Sequence, residues 1–477
     1  MMRSEPTQPM SENIHKSVAV VGGGVAGMSA ACALAEAGFR VTLIERRGYL
    51  GGRASSYLHP GVNEVIDNCQ HVLFGCCTNL PAFYRRVGVA NQVLWTTEMT
   101  MIEPGGRRSL LGPSPLPAPL HGFPRLLAAQ AFSLADKLSL ARAFTAVMRG
   151  DHGNPQENLG SWLRRHKQTQ GALDRFWRLV IASALNAEIE EIAVPYATKV
   201  VRELFMNSLF AGAMGMSKLP LSDLYANVPE YLLQRGGKLL LQTNVESAEW
   251  DANDSKWVVR MRGQTADVRS DFLVLAVPFE GLQKLLRMLP ASPRAEQLAA
   301  QIESHTHWPI CSVHLWFDRE ITDLDHAVLL DREIHWLYNQ SKLQGRSGHY
   351  IELVVSATRR FAALPRDEAI QLAIAELKEF FPAAHTATLV KAALIKEVRA
   401  TFGVPPGIDA ARPAADEAPW PNSFLAGDWI ATGWPSTMES AARSGHLAAE
   451  ALCKAAGRPQ AFLVPDLQPR GLMRFLT

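Results

Sequence analysis

Residues 17–45 read SVAVVGGGVAGMSAACALAEAGFRVTLIE, and this stretch decides the fold. The apolar run Val18-Ala19-Val20-Val21 has strand length and leads into Gly22-Gly23-Gly24-Val25-Ala26-Gly27, a G-x-G-x-x-G match. In such a match Gly22 makes the tight turn, Gly24 lets the backbone approach a pyrophosphate, and Gly27 lets the helix pack closely on the strand. An alanine-rich helix is expected over 25–37, closed by Gly38 in a left-handed conformation. A strand over 39–44 then delivers Glu45, where an acidic side chain accepts hydrogen bonds from a ribose. The glycine pattern is weak alone, but strand, turn, helix, strand and acid in this order specify a Rossmann-type unit that holds a dinucleotide. Residues 17–35 carry no charge and are long enough for a membrane span. Glycines clustered at a turn and mostly small apolar residues fit a buried unit better.

A chain of 477 residues exceeds what one hydrophobic core organises, so two interleaved domains are expected. Hydrophobic content of 47% with 20% charged residues describes a globular chain. A formal net charge of +2 gives no electrostatic footprint for nucleic acid. The six cysteines form no C-x-x-C pair, which argues against a zinc site or a disulfide framework and for reduced thiols in the cytoplasm. Residues 1–16 are polar, read as a mobile N-terminus, and lack the apolar core of a signal peptide. Elsewhere no charge-free apolar run reaches spanning length, so any membrane contact is expected to be peripheral, on the inner face of the cytoplasmic membrane.

Beyond Glu45-Arg46 the turn Gly51-Gly52-Arg53 can bring a planar guanidinium to phosphate oxygens. Near the other end, residues 424–426 read as a buried strand leading to Gly427-Asp428. The fingerprint, Glu45-Arg46, the Gly51-Gly52-Arg53 turn and Phe424-Leu425-Ala426-Gly427-Asp428 together resemble the FAD-dependent amine oxidase and phytoene desaturase superfamily. The stretches DNCQHVLFG (67–75) and WPSTMESAARSG (434–445) are similar to its squalene-associated branch, the hydroxysqualene dehydroxylases.

The resemblance covers nearly the whole chain after Ser17. It implies an α/β fold with a Rossmann-type FAD-binding domain of the GR2-like flavoprotein kind and an interleaved α+β substrate domain. The FAD-binding parts are expected at 17–110, 222–285 and 405–460, the substrate-binding parts at 111–221 and 286–404, and a C-terminal tail at 461–477. The FAD contacts it implies are Gly22, Gly24, Val25, Ala26, Gly27, Glu45, Arg46, Gly52, Arg53, Val245, Gly427, Asp428, Thr437 and Met438. The implied activity is an FAD-dependent oxidoreductase that reductively removes the hydroxyl of hydroxysqualene, a long-chain isoprenoid, to give squalene, with an electron donor that the sequence does not specify. His71, Gln70 and Asp67 are the candidate acids or orienting groups, with hydrogen bonding to backbone in a turn as the structural alternative. Cys69 stands where the branch pattern has glycine, which raises the question of backbone strain.

The rest of the chain is read around this frame. LGPSPLPAPL (111–120) excludes regular helix and inner strand and marks a crossing between domains. Residues 126–148 and 159–210 are mainly helical, and 204–216, apolar and methionine-bearing, is read as core, tunnel lining or a lipid-dipping segment. Ser222 is expected to cap a helix running to 235, with strands at 238–243, 257–261 and 268–277 returning to the cofactor domain. The strand residues Val313-His314-Leu315-Trp316-Phe317 are read as cavity wall or sheet core, and His305, His307 and His314 lack the partners of a metal site. Ser436-Thr437-Met438-Glu439 matches a capping box, whose helix start, aimed at a flavin, stabilises negative charge on the reduced ring. Trp429 and Trp434 as aromatic walls keep an amine oxidase or polyene desaturase reading open. A lipid-binding flavoprotein without catalysis is the third reading.

Overall fold

The computed structural model describes residues 16–264 and 266–475. The mobile segment expected at 1–16 therefore lies, apart from Lys16, outside the described residues. A parallel five-stranded sheet runs in the spatial order Lys238–Leu240, Arg40–Ile44, Ser17–Val21, Phe272–Leu275, Ser423–Leu425. Ser17–Val21 lies at its centre because Val18, Ala19 and Val20 are all buried, as a strand covered on both faces requires. The helix Val25–Glu36 covers one face and ends where Gly38 takes φ +84°. The helix Met438–Ala455 lies against it so closely that a Cβ on Gly445 would stand 2.3 Å from the Ala26 carbonyl oxygen.

The second large sheet has seven strands, ordered Leu389–Phe402, His307–Phe317, His349–Val355, Trp336–Asn339, His326–Leu329, Met99–Ile102, Arg108–Leu111. Its pairings are antiparallel except that between His326–Leu329 and Met99–Ile102. Met99–Ile102 and most of Arg108–Leu111 fall within the span 17–110 expected for the cofactor domain, yet they extend this sheet. A helical layer of Leu134–Met148, Leu159–Arg165, Leu173–Ala182 and Val194–Phe205 adjoins it. Leu173–Ala182 is wound as a π-helix, a rare form that recurs beside functional sites, and its Phe176 and Val180 face the large cavity.

Several local expectations are corrected. Ser222 is no cap but lies inside a short 3-10 helix, Leu221–Tyr225; its Oγ donates to the Ser56 carbonyl and accepts from the Ser56 N–H at 2.8 Å, and the α-helix begins at Val228. The cap of the Met438–Ala455 helix is Thr437, accepting from the Ser440 N–H at 3.1 Å, one residue later than the Ser436 expected. Glu439 does not reach back to its own helix start. It accepts instead from the Asn79 N–H at 2.9 Å and the Leu80 N–H at 2.8 Å, capping the helix Asn79–Arg86. The C-terminal tail is packed over 461–475: Phe462 and Met473 are buried and the Leu472 N–H donates to the Ala118 carbonyl at 2.8 Å.

Candidate cofactor and substrate cavity

The start of the Val25–Glu36 helix is built to receive an anion. Its cap, Gly24, has no side chain to satisfy the first-turn N–H groups, and no acidic residue lies in that turn. Those donors and the positive end of the helix dipole face the cavity at Gly24, Val25 and Ala26. Gly22, at φ +114°, makes the turn, and a Cβ on Gly27 would stand 1.8 Å from the Gly22 oxygen, so Gly27 serves packing and does not line the cavity. A Cβ on Gly24 would meet only the Gly52 Cα, at 3.9 Å, which leaves that side open to a ligand.

The Gly51-Gly52-Arg53 turn lies beside this helix start through a bridge between Gly24 and Gly51. Arg47 steadies it with a 2.8 Å bond from Nη1 to the Gly52 carbonyl. The Arg53 guanidinium reaches Asp428, with Nη2 2.5 Å from Oδ1, and so joins the Gly51-Gly52 turn to the Gly427-Asp428 turn. Ser436 Oγ donates to the other oxygen of Asp428. The buried Arg412 holds the following loop by donating to the carbonyls of Asp428 and Trp429 at 3.1 and 3.3 Å and to that of Ile430. Glu45, expected at a ribose, accepts from the Gly23 and Arg47 N–H groups, both at 2.7 Å, and lines the cavity beside Arg46. Val245, Gly427, Asp428, Thr437 and Met438 line the same space.

This space is a continuous cavity of about 1020 Å³. One part is the polar cradle just described. The other runs between the helical layer and the seven-stranded sheet, walled by Phe144, Phe176, Phe205, Met206, Trp336 and Tyr338. Asn68, Cys69, Gln70 and His71 lie on its wall, and the buried Asn68 Oδ1 has no partner among the described residues. Such an orphaned acceptor on a cavity wall is what a ligand donor would satisfy.

Of the three candidate acids, Asp67 is not on the cavity. It is buried and accepts from Ser56 Oγ at 2.6 Å and from the Leu221 N–H at 3.0 Å, so it fastens one segment to another, and burial raises its pKa. His71 lines the cavity with Nδ1 2.7 Å from the Cys69 carbonyl. That contact puts the proton on Nδ1 and leaves Nε2 an acceptor. Burial lowers the His71 pKa; the bond to Cys69 offsets this in part and the Arg53 charge adds to it, so the ring is neutral. Gln70 Oε1 accepts from Gln340 Nε2 at 2.6 Å, while the Gln70 N–H donates to Glu352 Oε1 at 2.6 Å. Cys69 is not among the residues with positive φ, so replacing glycine there brings no left-handed strain.

Sequence reading missed Glu352, Gln340 and Arg412, whose bonds to Gln70 and Tyr196 join segments more than 200 residues apart. Glu352 is fully buried, and burial first, then the nearby Asp67 charge, push its pKa up to about 8. Of the two readings for Val313–Phe317, the structure gives sheet core, with Ile310 the residue of that strand on the cavity, and of the two tryptophans only Trp434 lines it. Trp429 is buried, its Nε1 donating to the Val277 carbonyl at 2.9 Å. The segment 204–216 does line the space, through residues such as Phe205, Met206 and Met214.

The family model described as flavin containing amine oxidoreductase matches residues 25–453. A probable zeta-carotene desaturase of Synechococcus elongatus is 26% identical, covering 92% of this chain and 98% of its own length. A 15-cis-phytoene desaturase of the same organism is 25% identical, covering 93% and 99%. Among solved structures, putrescine oxidase bound to putrescine superposes with a TM-score of 0.68 at 17% identity, over 93% of this chain and 99% of the other. The cofactor is FAD, and an uncapped helix start, an open glycine cradle and the Arg53–Asp428 bridge fit its pyrophosphate and ribityl groups. The chain belongs to the flavin-containing amine oxidoreductase family.

Proposed function

We propose that this oxidoreductase acts on a long-chain isoprenoid, and that its reaction is the reductive removal of the hydroxyl of hydroxysqualene to give squalene. The observation that carries the substrate class is the continuity of the cofactor cradle with an aromatic and methionine-walled arm, shaped for an extended hydrocarbon. The particular reaction rests on the likeness of 67–75 and 434–445 to the squalene-associated branch. Bound FAD supplies two-electron chemistry, giving or taking a hydride equivalent. The net conversion consumes one hydride and one proton, breaks the C–O bond, forms a C–H bond and releases water, with an external two-electron reductant restoring the cofactor.

The chain's own residues select, orient and dry the substrate. Phe144, Phe176 and Phe205 exclude water from the chain of the hydrocarbon. Neutral His71, its Nδ1–H engaged with Cys69, presents an acceptor for a substrate hydroxyl, which makes it an orienting group in the resting state and no strong acid. Gln70 is clamped by Gln340 and Glu352, which fixes the wall on which His71 stands.

Holoenzyme reduced anaerobically and mixed with hydroxysqualene is expected to yield squalene, detected by mass spectrometry, as the flavin absorbance returns. His71→Ala should lower the turnover number about 10- to 100-fold through lost orientation. Unchanged hydroxysqualene in this mixture would sink the reading. The second reading, polyene desaturation, is favoured by the carotenoid desaturases that match over more than nine-tenths of this chain. In that case phytoene, given to the oxidised holoenzyme, would bleach the flavin.

A further inference from the structure

We infer that residues 112–149 and 467–475 form one docking surface for an anionic lipid bilayer, set around the mouth through which a hydrocarbon enters the cavity. It extends the long-chain isoprenoid reading, and its test uses no substrate, so either can fail alone.

The surface is built from two distant segments. Leu116, Leu120, Leu127, Leu134 and Leu138 are exposed in the first, at 43%, 41%, 60%, 70% and 63% of their area. Leu472 and Phe475 are exposed in the second, at 44% and 81%. Side chains of this kind are normally scattered singly over a protein surface; a cluster of them marks an interaction site. Hydrogen bonds hold the cluster together. The Leu472 N–H donates to the Ala118 carbonyl at 2.8 Å, and Lys137 Nζ to the Leu127 carbonyl at 2.7 Å. The patch borders the cavity, because Pro113, Pro119, Gly122, Phe123 and Leu126 line it from the same segment.

Charge decides the occupant. The two segments hold six basic residues, Arg125, Lys137, Arg142, Arg149, Arg470 and Arg474, against one acid, Asp136. Asp136 is buried in the cap of its helix, accepting from the Ser133 N–H at 2.8 Å, so it does not offset them at the surface, and among the described residues only Arg125 of the six has an ion-pair partner, Glu98 at 3.4 Å. On the helix Leu134–Met148, Leu134, Leu138 and Arg142 follow at four-residue intervals and share one face with Arg149 just beyond its end. Exposed leucines flanked by arginines suit the interface of an anionic leaflet, where apolar tips enter the acyl boundary and guanidinium groups meet phosphates. No helix among the described residues is long and apolar enough to cross a membrane, so this contact lies on the surface.

The test is flotation of the full-length holoenzyme with vesicles of phosphatidylcholine containing 30% phosphatidylglycerol, and with phosphatidylcholine alone. The expected result is flotation with the anionic vesicles, at least tenfold stronger than with neutral ones and weakened by 0.5 M salt. Leu134→Glu/Leu138→Glu, at exposed positions with little packing to lose, should cut the bound fraction at least tenfold while keeping bound FAD and the wild-type melting temperature. Leu472→Glu/Phe475→Glu should do the same independently. Wild type that stays unbound, or variants that float undiminished, would overturn the proposal. So would a wild-type dimer that either variant splits, because the patch would then serve self-association.

Discussion

Glu352 gives the most direct residue-scale test, because it is a buried carboxyl with no salt-bridge partner among the described residues, and the Arg346 charge only partly offsets its burial. Its Oε2 accepts from Gln340 Nε2 at 2.6 Å and its Oε1 from the Gln70 N–H, while Asp67 presses it with like charge. With the folded pKa near 8 against an ordinary 4.5, the native state keeps a proton that the unfolded chain has lost. The group's contribution is therefore fully present below pH 4.5 and drains away as pH rises to about 8, at a slope of up to about 1.4 kcal/mol per pH unit. Glu352→Gln removes that slope at the cost of one mismatched contact with Gln340. Denaturant midpoints measured from pH 5 to 8 should fall for wild type and stay nearly level for the variant; parallel curves would refute the assignment. Nothing in DNCQHVLFG announces Glu352, since its partner Gln70 lies 282 residues earlier and only the sheet register brings them together. Asp67 takes the structural alternative among its two readings, since the Ser56 and Leu221 bonds fasten one segment to another.

At the scale of elements, what was legible is what is local. The Rossmann turn, its helix and the Gly38 stop follow from spacing over fewer than thirty residues, and the structure places them within a residue of expectation. The capping box at 436–439 shows the limit, because Ser436 and Glu439 satisfy the pattern but are drawn to Asp428 and to the Asn79–Arg86 helix instead. Thr437 keeps the cap, and Thr437→Ala should cost about 1 kcal/mol of stability. The packing of the two long helices is a sharper case. A Cβ on Gly445 would meet the Ala26 carbonyl at 2.3 Å and the Ala30 nitrogen at 2.8 Å, backbone atoms that cannot rotate aside. Gly445→Ala should therefore lower stability by about 1–3 kcal/mol and weaken FAD retention, since the displaced helix Val25–Glu36 carries the anion-binding turn. Gly122→Ala is the control, with nothing within 4 Å of its Cβ and no positive φ. Equal melting temperatures for the two variants would show that the helices give way freely.

The whole molecule adds what no single element shows, a cofactor site closed by the far end of the chain. A sheet drawn from four separated stretches could be anticipated because each carries its own strand signal. The strap at 461–475 could not, because PDLQPRGLMRF has no periodicity and reads as a tail. Its anchors are remote: Val464 exchanges hydrogen bonds with Asn79, the Arg470 N–H donates to the Asn207 carbonyl at 2.8 Å, and Asp466 pairs with the buried Arg443. Asp466 also accepts from Trp434 Nε1 at 3.2 Å, and Lys199 approaches it at 3.6 Å while lying over the Trp434 ring. Trp434, Lys199 and Glu439 line the cavity beside Thr437 and Met438, so the strap braces the wall at the second helix start of the cofactor cradle. Removing the chain after Gln460 exposes that wall and leaves Arg443 with Glu439 alone among its carboxylate partners. The truncated protein should lose FAD about tenfold faster than the full chain, read as recovery of free-flavin fluorescence on dilution, a change equivalent to about 1.4 kcal/mol. Asp466→Asn, which keeps the strap but weakens its ion pair, should fall between them. If both release FAD at the wild-type rate, the cradle stands without the strap and the two glycine turns bridged by Arg53 and Asp428 hold the cofactor unaided.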